Sequence, residues 1–178
     1  MTERVRGHRL RTFRALAANR ALPVVEIALL RSLPLFAELP GPTIEALAAS
    51  LTPVELPAGT VLIRQGDPGD AYYAIAAGEL DVRQDGHFVR RYGHGEGVGE
   101  IALLHSVPRT ATVIAHSDAT VYQLNREPFL SAVLGHAQTF REASRIAGAR
   151  LAADVERDHP QQARLPLPSS PAGRGARR

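Results

Sequence analysis

The sequence contains no cysteine, and all 21 of its basic residues are arginines, so lysine is absent as well. Without cysteine the chain can form neither a disulfide framework nor a thiolate-ligated metal site, and it has no thiol nucleophile. Without lysine it lacks the P-loop lysine, Schiff-base chemistry and a lysine general base. These absences exclude several classes of enzyme and fit a reducing, cytoplasmic location.

Long apolar runs are also missing, since no stretch of about 18 uncharged apolar residues exists, and we expect this chain alone to be soluble. The net charge of +3 arises from the ends: residues 1–20 hold six arginines against one glutamate, and residues 161–178 hold four arginines and no acid. By subtraction, residues 21–160 carry eleven arginines and seventeen acids, a net charge of −6. A folded body of this sign argues against nucleic-acid binding.

The spacing of apolar residues changes near Pro53. Before it, "VVEIALLRSL" and "TIEALAASL" have the three- and four-residue spacings of helices. After it, short β-rich runs are separated by glycine, aspartate and proline, with predicted turns at residues 66–70, at Gly78 and at residues 84–86. The runs are "TVLIRQ", "DAYYAIAAGELDVRQ", "HFVRRYG", "TATVIAH" and "ATVYQLN". This pattern predicts a mainly β fold with flanking helices, built as an antiparallel sandwich or barrel.

The region after the strands predicts helix as far as residue 157. Its apolar positions fall at alternating three- and four-residue spacings, so we expect one helix, or one kinked at Gly135, with a narrow seam. The seam residues are Leu130, Val133, Ala137, Phe140, Ser144, Ala147 and Leu151. The seam permits a dimer without requiring one. Residues 158–178 are rich in proline and arginine and are predicted to be disordered, and residues 1–27 form a basic helical segment.

The stretch "GVGEIALLHSVPRTATV", residues 97–113, has the composition of an anion site. A glycine-led helical turn offers unpaired N–H groups, and Arg109 can grip a phosphate through two parallel hydrogen bonds. Glu100 would repel a phosphate but can accept a hydrogen bond from a sugar hydroxyl while Arg109 partly neutralises it. Together these groups suit a ribose joined to a phosphate. The alternative is an internal ion pair between Glu100 and Arg109.

The same stretch resembles the phosphate-binding cassette of cyclic-nucleotide-binding domains, as found in the regulatory subunits of cAMP-dependent protein kinase and in the bacterial catabolite activator family. The matching residues are Gly99 to Leu103 and Pro108 to Thr112, with Val98 where phenylalanine is usual. The resemblance covers about residues 28–157. It implies an eight-stranded β-roll (jelly roll) over about residues 53–125, a C-terminal helical part over about 127–157, and no catalysis.

The resemblance also implies roles for individual residues. Glu100 would bind the ribose 2′-hydroxyl and Arg109 the exocyclic phosphate oxygens, while the backbone N–H groups of Ala102 and Thr110 would complete the cradle. Gly99 would allow close backbone approach. The site as a whole comprises Gly99, Glu100, Ile101, Ala102, Arg109, Thr110 and Ala111. The ligand is expected to be cAMP, with cGMP as the alternative because Thr110 resembles a position used by cGMP-selective members. The base would be capped from the last helix, with Arg141, Arg145, Ile146 and Leu151 as candidates.

Other readings fit the sequence less well. A jelly-roll metalloenzyme needs clustered histidines, whereas His94 and Glu96 stand apart from His87, His105 and His116. DNA binding would need a helix-turn-helix of roughly 60 residues after the long helix, but only about twenty residues follow it, so we do not expect this chain to bind DNA. The resemblance extends to cyclic-nucleotide domains attached to actinobacterial transporters of the major facilitator type, so the expected partner is an unidentified output protein or an attached transporter, in a bacterium. The runner-up function is a nonbinding β-roll interaction module with a degenerate pocket.

Overall fold

The computed structural model describes residues 24–158. Most of the predicted basic N-terminal segment and the predicted tail after residue 158 lie outside the described residues. The elements within them, in chain order, are α1 (Val24–Ser32), α2 (Gly41–Ala49), β1 (Thr52–Leu56), β2 (Val61–Ile63), β3 (Ala71–Ala77), β4 (Leu80–Gln84), β5 (His87–Tyr92), β6 (Gly97–Val98), α3 (Glu100–His105), β7 (Thr112–Ala115), β8 (Ala119–Asn125), α4 (Arg126–Leu134) and α5 (Ala137–Asp158).

The eight strands form two antiparallel sheets of four strands each, in the orders β1-β8-β3-β6 and β2-β7-β4-β5. Because each sheet has two edges, the described strands do not close into a barrel, and of the two predicted architectures the sandwich-like β-roll is correct. An apolar layer with Ile75, Leu80 and Val121, all fully buried, lies between the sheets. Antiparallel β-roll architecture with flanking helices is thus confirmed.

The predicted turns occur where the sequence indicated them. Gln84 pairs with His87 across a two-residue turn, in which Asp85 and Gly86 both have positive φ, 50° and 82°. Such a turn matches the right-handed twist of the two strands that it joins, β4 and β5. Gly78 has a φ of +79° and separates β3 from β4, so the change of register seen in the sequence reflects a turn.

A second apolar cluster lies between the helices and the sheet that contains β3. Its centre is a group of three aromatic rings: Phe36 meets Tyr72 and Phe129 edge to face, at 5.6 and 6.0 Å between ring centroids, and Tyr72 stacks on Phe129. Leu30 and Val133 are also fully buried in this cluster. The cluster fixes α1, α2 and α4 on the β-roll.

The C-terminal helical region predicted over residues 127–157 is interrupted at Gly135, where a kink was predicted. Gly135 and His136 are not helical, so α4 and α5 are separate helices, and they pack on each other. A side chain at residue 135 would crowd the Ser131 carbonyl oxygen, at 2.7 Å, which glycine avoids.

The break also changes the face that α5 buries. The buried positions are Thr139, Ala143 and Ala147, whereas Phe140 is 45% exposed and Ser144 lies outside. The predicted seam is therefore wrong for the first part of α5. The spacing of apolar residues does not continue through the interruption at Gly135, because a different face of the helix is buried after it.

Candidate functional site

A cavity of about 200 Å³ lies between the second sheet, the segment 98–111 and helix α5. The second sheet contributes an apolar floor with Ile63, Val82, Val89, Tyr92 and Val113. All seven residues predicted for the site line this cavity: Gly99, Glu100, Ile101, Ala102, Arg109, Thr110 and Ala111. The structure therefore brings the predicted residues together around one cavity.

The segment 98–111 crosses from one sheet to the other, and this crossing creates the cavity. Strand β6 ends at Val98 in the first sheet, and β7 begins at Thr112 in the second. Between them, the chain turns at Gly99, where φ is +103°, and forms the short helix α3. The predicted helical turn in "EIALL" is thus present. Val98, which replaces the usual phenylalanine, is itself buried, so the smaller side chain is accommodated in the core.

Arg109 is only 5% exposed, and backbone carbonyl groups hold its guanidinium group. Its Nη2 donates to the Ala71 carbonyl oxygen at 2.7 Å and, more weakly, to the Asp70 carboxylate at 3.3 Å, while Nη1 donates to the Gly99 carbonyl oxygen at 3.1 Å. A guanidinium group has five N–H donors. Within the described part of the chain, the remaining donors of Arg109 have no protein acceptor, and the residue lines the cavity.

Glu100 does not pair with Arg109. Its carboxylate is 2% exposed, and Oε1 accepts a hydrogen bond of 2.6 Å from Nη1 of Arg150 on helix α5. The expectation that Arg109 neutralises Glu100, and the alternative of an internal Glu100–Arg109 ion pair, are both wrong. The cause is that Arg109 is turned toward the carbonyl groups of Ala71 and Gly99.

Arg150 was missed in the sequence. Its side chain is 23% exposed, and its Nη1 also donates to the Gly97 carbonyl oxygen at 3.1 Å. Its guanidinium carbon lies 4.6 Å from the centre of the Tyr92 ring, which is a cation–π distance. Although burial opposes the charge, Glu100 beside it raises the pKa of Arg150. A signal was available, since Ala143, Ala147 and Arg150 have the spacing of one helical face.

The four residues proposed as caps over the base are not the ones that reach the cavity. The residues of α5 that line it are Ala149, Arg150 and Ala153. Arg145 is bonded to Glu142 on the outside of the same helix, at 2.6 Å. Helix α5 does line the cavity, but through a face that the sequence pattern could not predict across the interruption at Gly135.

Two buried tyrosines next to the ion pair remain neutral. Burial raises the pKa of the Tyr72 hydroxyl well above its usual range, and the nearby Glu100 carboxylate adds to this effect. Burial also raises the pKa of Tyr92, against the opposing influence of Arg150. Both side chains therefore act as neutral donors or ring surfaces, and the charged residues that line the cavity are Arg90, Glu100, Arg109 and Arg150.

The chemistry of this arrangement suits binding of a ligand with an anionic and a hydroxyl-bearing part. Arg109 offers charged donors at one point of the wall, and Glu100 offers a buried acceptor at another. The apolar floor of the second sheet can receive a flat, weakly polar group. His94, which was weighed as a metal ligand, instead lies 2.8 Å from the Ala76 carbonyl oxygen through Nδ1.

Residues 53–136 match the cyclic nucleotide-binding domain family. The matched range includes the whole segment 98–111. This match confirms, for residues 53–136, the resemblance to cyclic-nucleotide-binding domains found in the sequence.

Curated relatives agree with this assignment. The chain is 38% identical over 104 residues to the cAMP-dependent protein kinase regulatory subunit of Aspergillus niger, and 36% identical over 104 residues to that of Emericella nidulans. Each match covers 57% of this chain and 25% of the relative. The matched part is thus about a quarter of each relative's length, and both relatives are regulatory subunits from fungi. A bacterial origin and the link to actinobacterial transporters stay predictions.

Solved structures share the fold. The regulatory domain of Toxoplasma gondii protein kinase A, crystallised with cAMP, is 30% identical, with a TM-score of 0.61 over 65% of this chain and 46% of that chain. A regulatory subunit of a cAMP-independent protein kinase A from Trypanosoma brucei, as a triple mutant bound to cAMP, is 26% identical, with a TM-score of 0.64 over 73% of this chain and 50% of that one.

Within residues 24–158, no helix is long and apolar enough to cross a membrane.

Proposed function

We propose that this protein is a cyclic-nucleotide sensor that binds cAMP, or alternatively cGMP, in the cavity under α5 and repositions that helix in response. The observation that carries the proposal is the placement of Arg109 and Glu100, both almost fully buried, on the wall of one cavity. Burying a charge is costly unless it is paired and hydrogen-bonded, so two almost fully buried charges on the wall of one cavity favour a site for a polar ligand. The absence of cysteine supports action in a reducing, cytoplasmic setting.

The proposed contacts follow from the chemistry of each residue. Arg109 binds the exocyclic phosphate oxygens through the donors that the Ala71 and Gly99 carbonyls leave available. Glu100 accepts a hydrogen bond from the ribose 2′-hydroxyl through Oε2, because Oε1 is engaged by Arg150. The base rests on the apolar floor of the second sheet, and Thr110 lies on the same wall.

The proposed output is mechanical rather than catalytic. Helix α5 covers the cavity through Ala149, Arg150 and Ala153, so filling the cavity changes the contacts that hold this helix. A ligand can shift the position of α5 only by binding one arrangement more tightly than the other. The partner that responds is an effector protein, attached or separate, in keeping with relatives that are regulatory subunits of a kinase.

The test is a calorimetric titration of purified, nucleotide-free protein with cAMP and cGMP at fixed salt, with 5′-AMP as the matched control ligand. We expect saturable binding of a cyclic nucleotide at micromolar concentration or below, and much weaker binding of 5′-AMP, whose phosphate is not held in the ring. Absence of binding by folded, empty protein would refute the sensor and favour the nonbinding interaction module.

A further inference from the structure

The ion pair between Glu100 and Arg150 separates two cavities. Next to the ligand cavity lies a second one, of about 280 Å³, and four residues line both: Arg90, Glu100, Ala149 and Arg150. The other walls of the second cavity include the turn after α1, at Leu33 to Leu35, and the α5 residues Arg145 and Ile146. This part of α5 therefore faces open volume on two sides of the ion pair.

The open volume makes the ion pair important for docking of α5. The first half of the helix is packed through Thr139, Ala143 and Ala147, all buried. Near residue 150 a cavity takes the place of packed side chains between α5 and the turn after α1. The bonds from Arg150 to Glu100 and to the Gly97 carbonyl oxygen, at 2.6 and 3.1 Å, are thus the specific polar contacts that fasten this part of the helix.

Glu100 depends on Arg150 in turn. A carboxylate that is 2% exposed is stable only when it is paired, because removing one partner leaves an uncompensated buried charge. Arg109, the other buried cation of the site, is committed to the carbonyls of Ala71 and Gly99. The cation for the ribose-binding carboxylate is therefore supplied by the helix that is proposed to move.

We propose that Arg150 is a positioning residue that couples occupancy of the nucleotide cavity to docking of the carboxyl-terminal half of α5. This inference rests on the proposed function and adds the residue that carries the signal. Arg150 holds Glu100 so that Oε2 faces the ribose, and bound nucleotide holds Arg150 against the β-roll.

The direction of the coupling follows from solvation. When the cavity contains only water, water can replace Arg150 as the partner of Glu100, and release of the helix costs less. When nucleotide fills the cavity, that water is excluded, and Glu100 requires Arg150. Nucleotide therefore strengthens docking of α5. By linkage, docked α5 must strengthen nucleotide binding by the same factor, about 5- to 150-fold for typical couplings.

The experiment combines calorimetry with hydrogen exchange of the α5 amides, with and without saturating cAMP, on the full chain. In the wild type we expect cAMP to slow exchange around residues 146–153. In Arg150→Met we expect cAMP affinity to fall by about 5- to 150-fold and the ligand-dependent slowing to disappear. The matched control is Arg145→Met, which removes an arginine bonded only within α5, to Glu142, among the described residues, and should behave as the wild type.

Two further variants protect the test against simple misfolding. Arg150→Lys keeps the positive charge but loses the planar group that serves two acceptors, so we expect an intermediate loss of affinity and of slowing. The double variant Glu100→Gln with Arg150→Met contains no buried unpaired charge, and we expect it to fold and to show no ligand-dependent slowing.

The outcomes separate the two proposals. Failure of the wild type to bind any cyclic nucleotide overturns the proposed function and this inference with it. If the wild type binds cAMP but Arg150→Met retains both wild-type affinity and wild-type slowing in α5, the sensor stands and the coupling role of Arg150 is overturned.

Discussion

The Nη2 nitrogen of Arg109 and the carbonyl oxygen of Ala71 lie 2.7 Å apart and join the two sheets of the β-roll. Arg109 immediately precedes the strand region of the second sheet, whereas Ala71 begins β3 in the first. The guanidinium group thus has a structural contact on one side and the ligand cavity on the other. Substitutions at this position affect both, and the chemistry of the replacement decides how much of each is lost.

Replacing Arg109 by alanine should weaken cAMP binding by roughly 2–5 kcal/mol, in line with loss of one partner of a buried charged contact. Arg109→Lys should recover part of this loss, because the charge remains but the planar group that serves several acceptors does not. Arg126→Ala is the control, since Arg126 donates to Gly69 and Ser106 outside the cavity. Calorimetry on the three variants tests this, and unchanged binding by Arg109→Ala would remove Arg109 from the site.

Gly99→Ala should lower both stability and cAMP affinity. Residue 99 has a φ of +103°, and an added Cβ atom would lie 2.6 Å from Nη1 of Arg109 and 2.8 Å from the Ala71 carbonyl oxygen. Backbone strain alone costs about 1–3 kcal/mol of unfolding free energy. Gly86→Ala is the matched control, with a φ of +82° and no atom within 4 Å. Chemical denaturation and titration should show loss of affinity only at residue 99; equal affinity losses would argue against crowding of Arg109.

Thr110→Ala should weaken cGMP binding more than cAMP binding. Thr110 lines the ligand cavity directly after Arg109, and its hydroxyl can accept a hydrogen bond from the amino group that guanine has and adenine lacks. Parallel titrations of the variant and the wild type with both nucleotides measure the difference. If both affinities fall by the same factor, Thr110 has no part in selectivity.

Asp81 should contribute to acid sensitivity. The side-chain hydrogen bond from Arg91, 2.7 Å from Nε to Oδ1, holds the pKa of Asp81 below its usual value. The unfolded chain then binds more protons than the folded one at low pH, so this stabilisation is present above about pH 4. It is lost as the pH falls toward the lower folded pKa.

The measurement for Asp81 is the pH dependence of unfolding. We expect Asp81→Asn to show a shallower loss of stability below about pH 4 than the wild type, with Glu45→Gln, exposed on α2, as the control. Identical slopes for Asp81→Asn and the wild type would show that the ion pair with Arg91 makes no acid-labile contribution.

The sequence predicted the features that depend on residues close together along the chain. Glycine and aspartate at residues 85 and 86 specify the two-residue turn between β4 and β5, and the spacing from Glu100 to Arg109 identifies the site. The two-residue strand β6 was not predicted, because so short a segment has no alternation to detect.

The partner of Glu100 could not be predicted in this way. Arg150 lies 50 residues further along the chain, and its approach depends on where α4 ends and how α5 rotates after Gly135. These features are set by packing between distant elements rather than by local pattern. The sequence therefore predicted which residues line the same cavity, while the charge that balances Glu100 was assigned to the wrong arginine.

The position of Ala153 on α5, at the wall of the ligand cavity, gives the molecule a use as a reporter. Because the natural sequence contains neither cysteine nor tryptophan, Ala153→Cys would create its sole thiol and could be labelled with a dye without further changes. A fluorophore there would lie at the wall of the cavity, so ligand binding would change its fluorescence intensity. The β-roll and its last helix could therefore serve as the scaffold of a fluorescent biosensor.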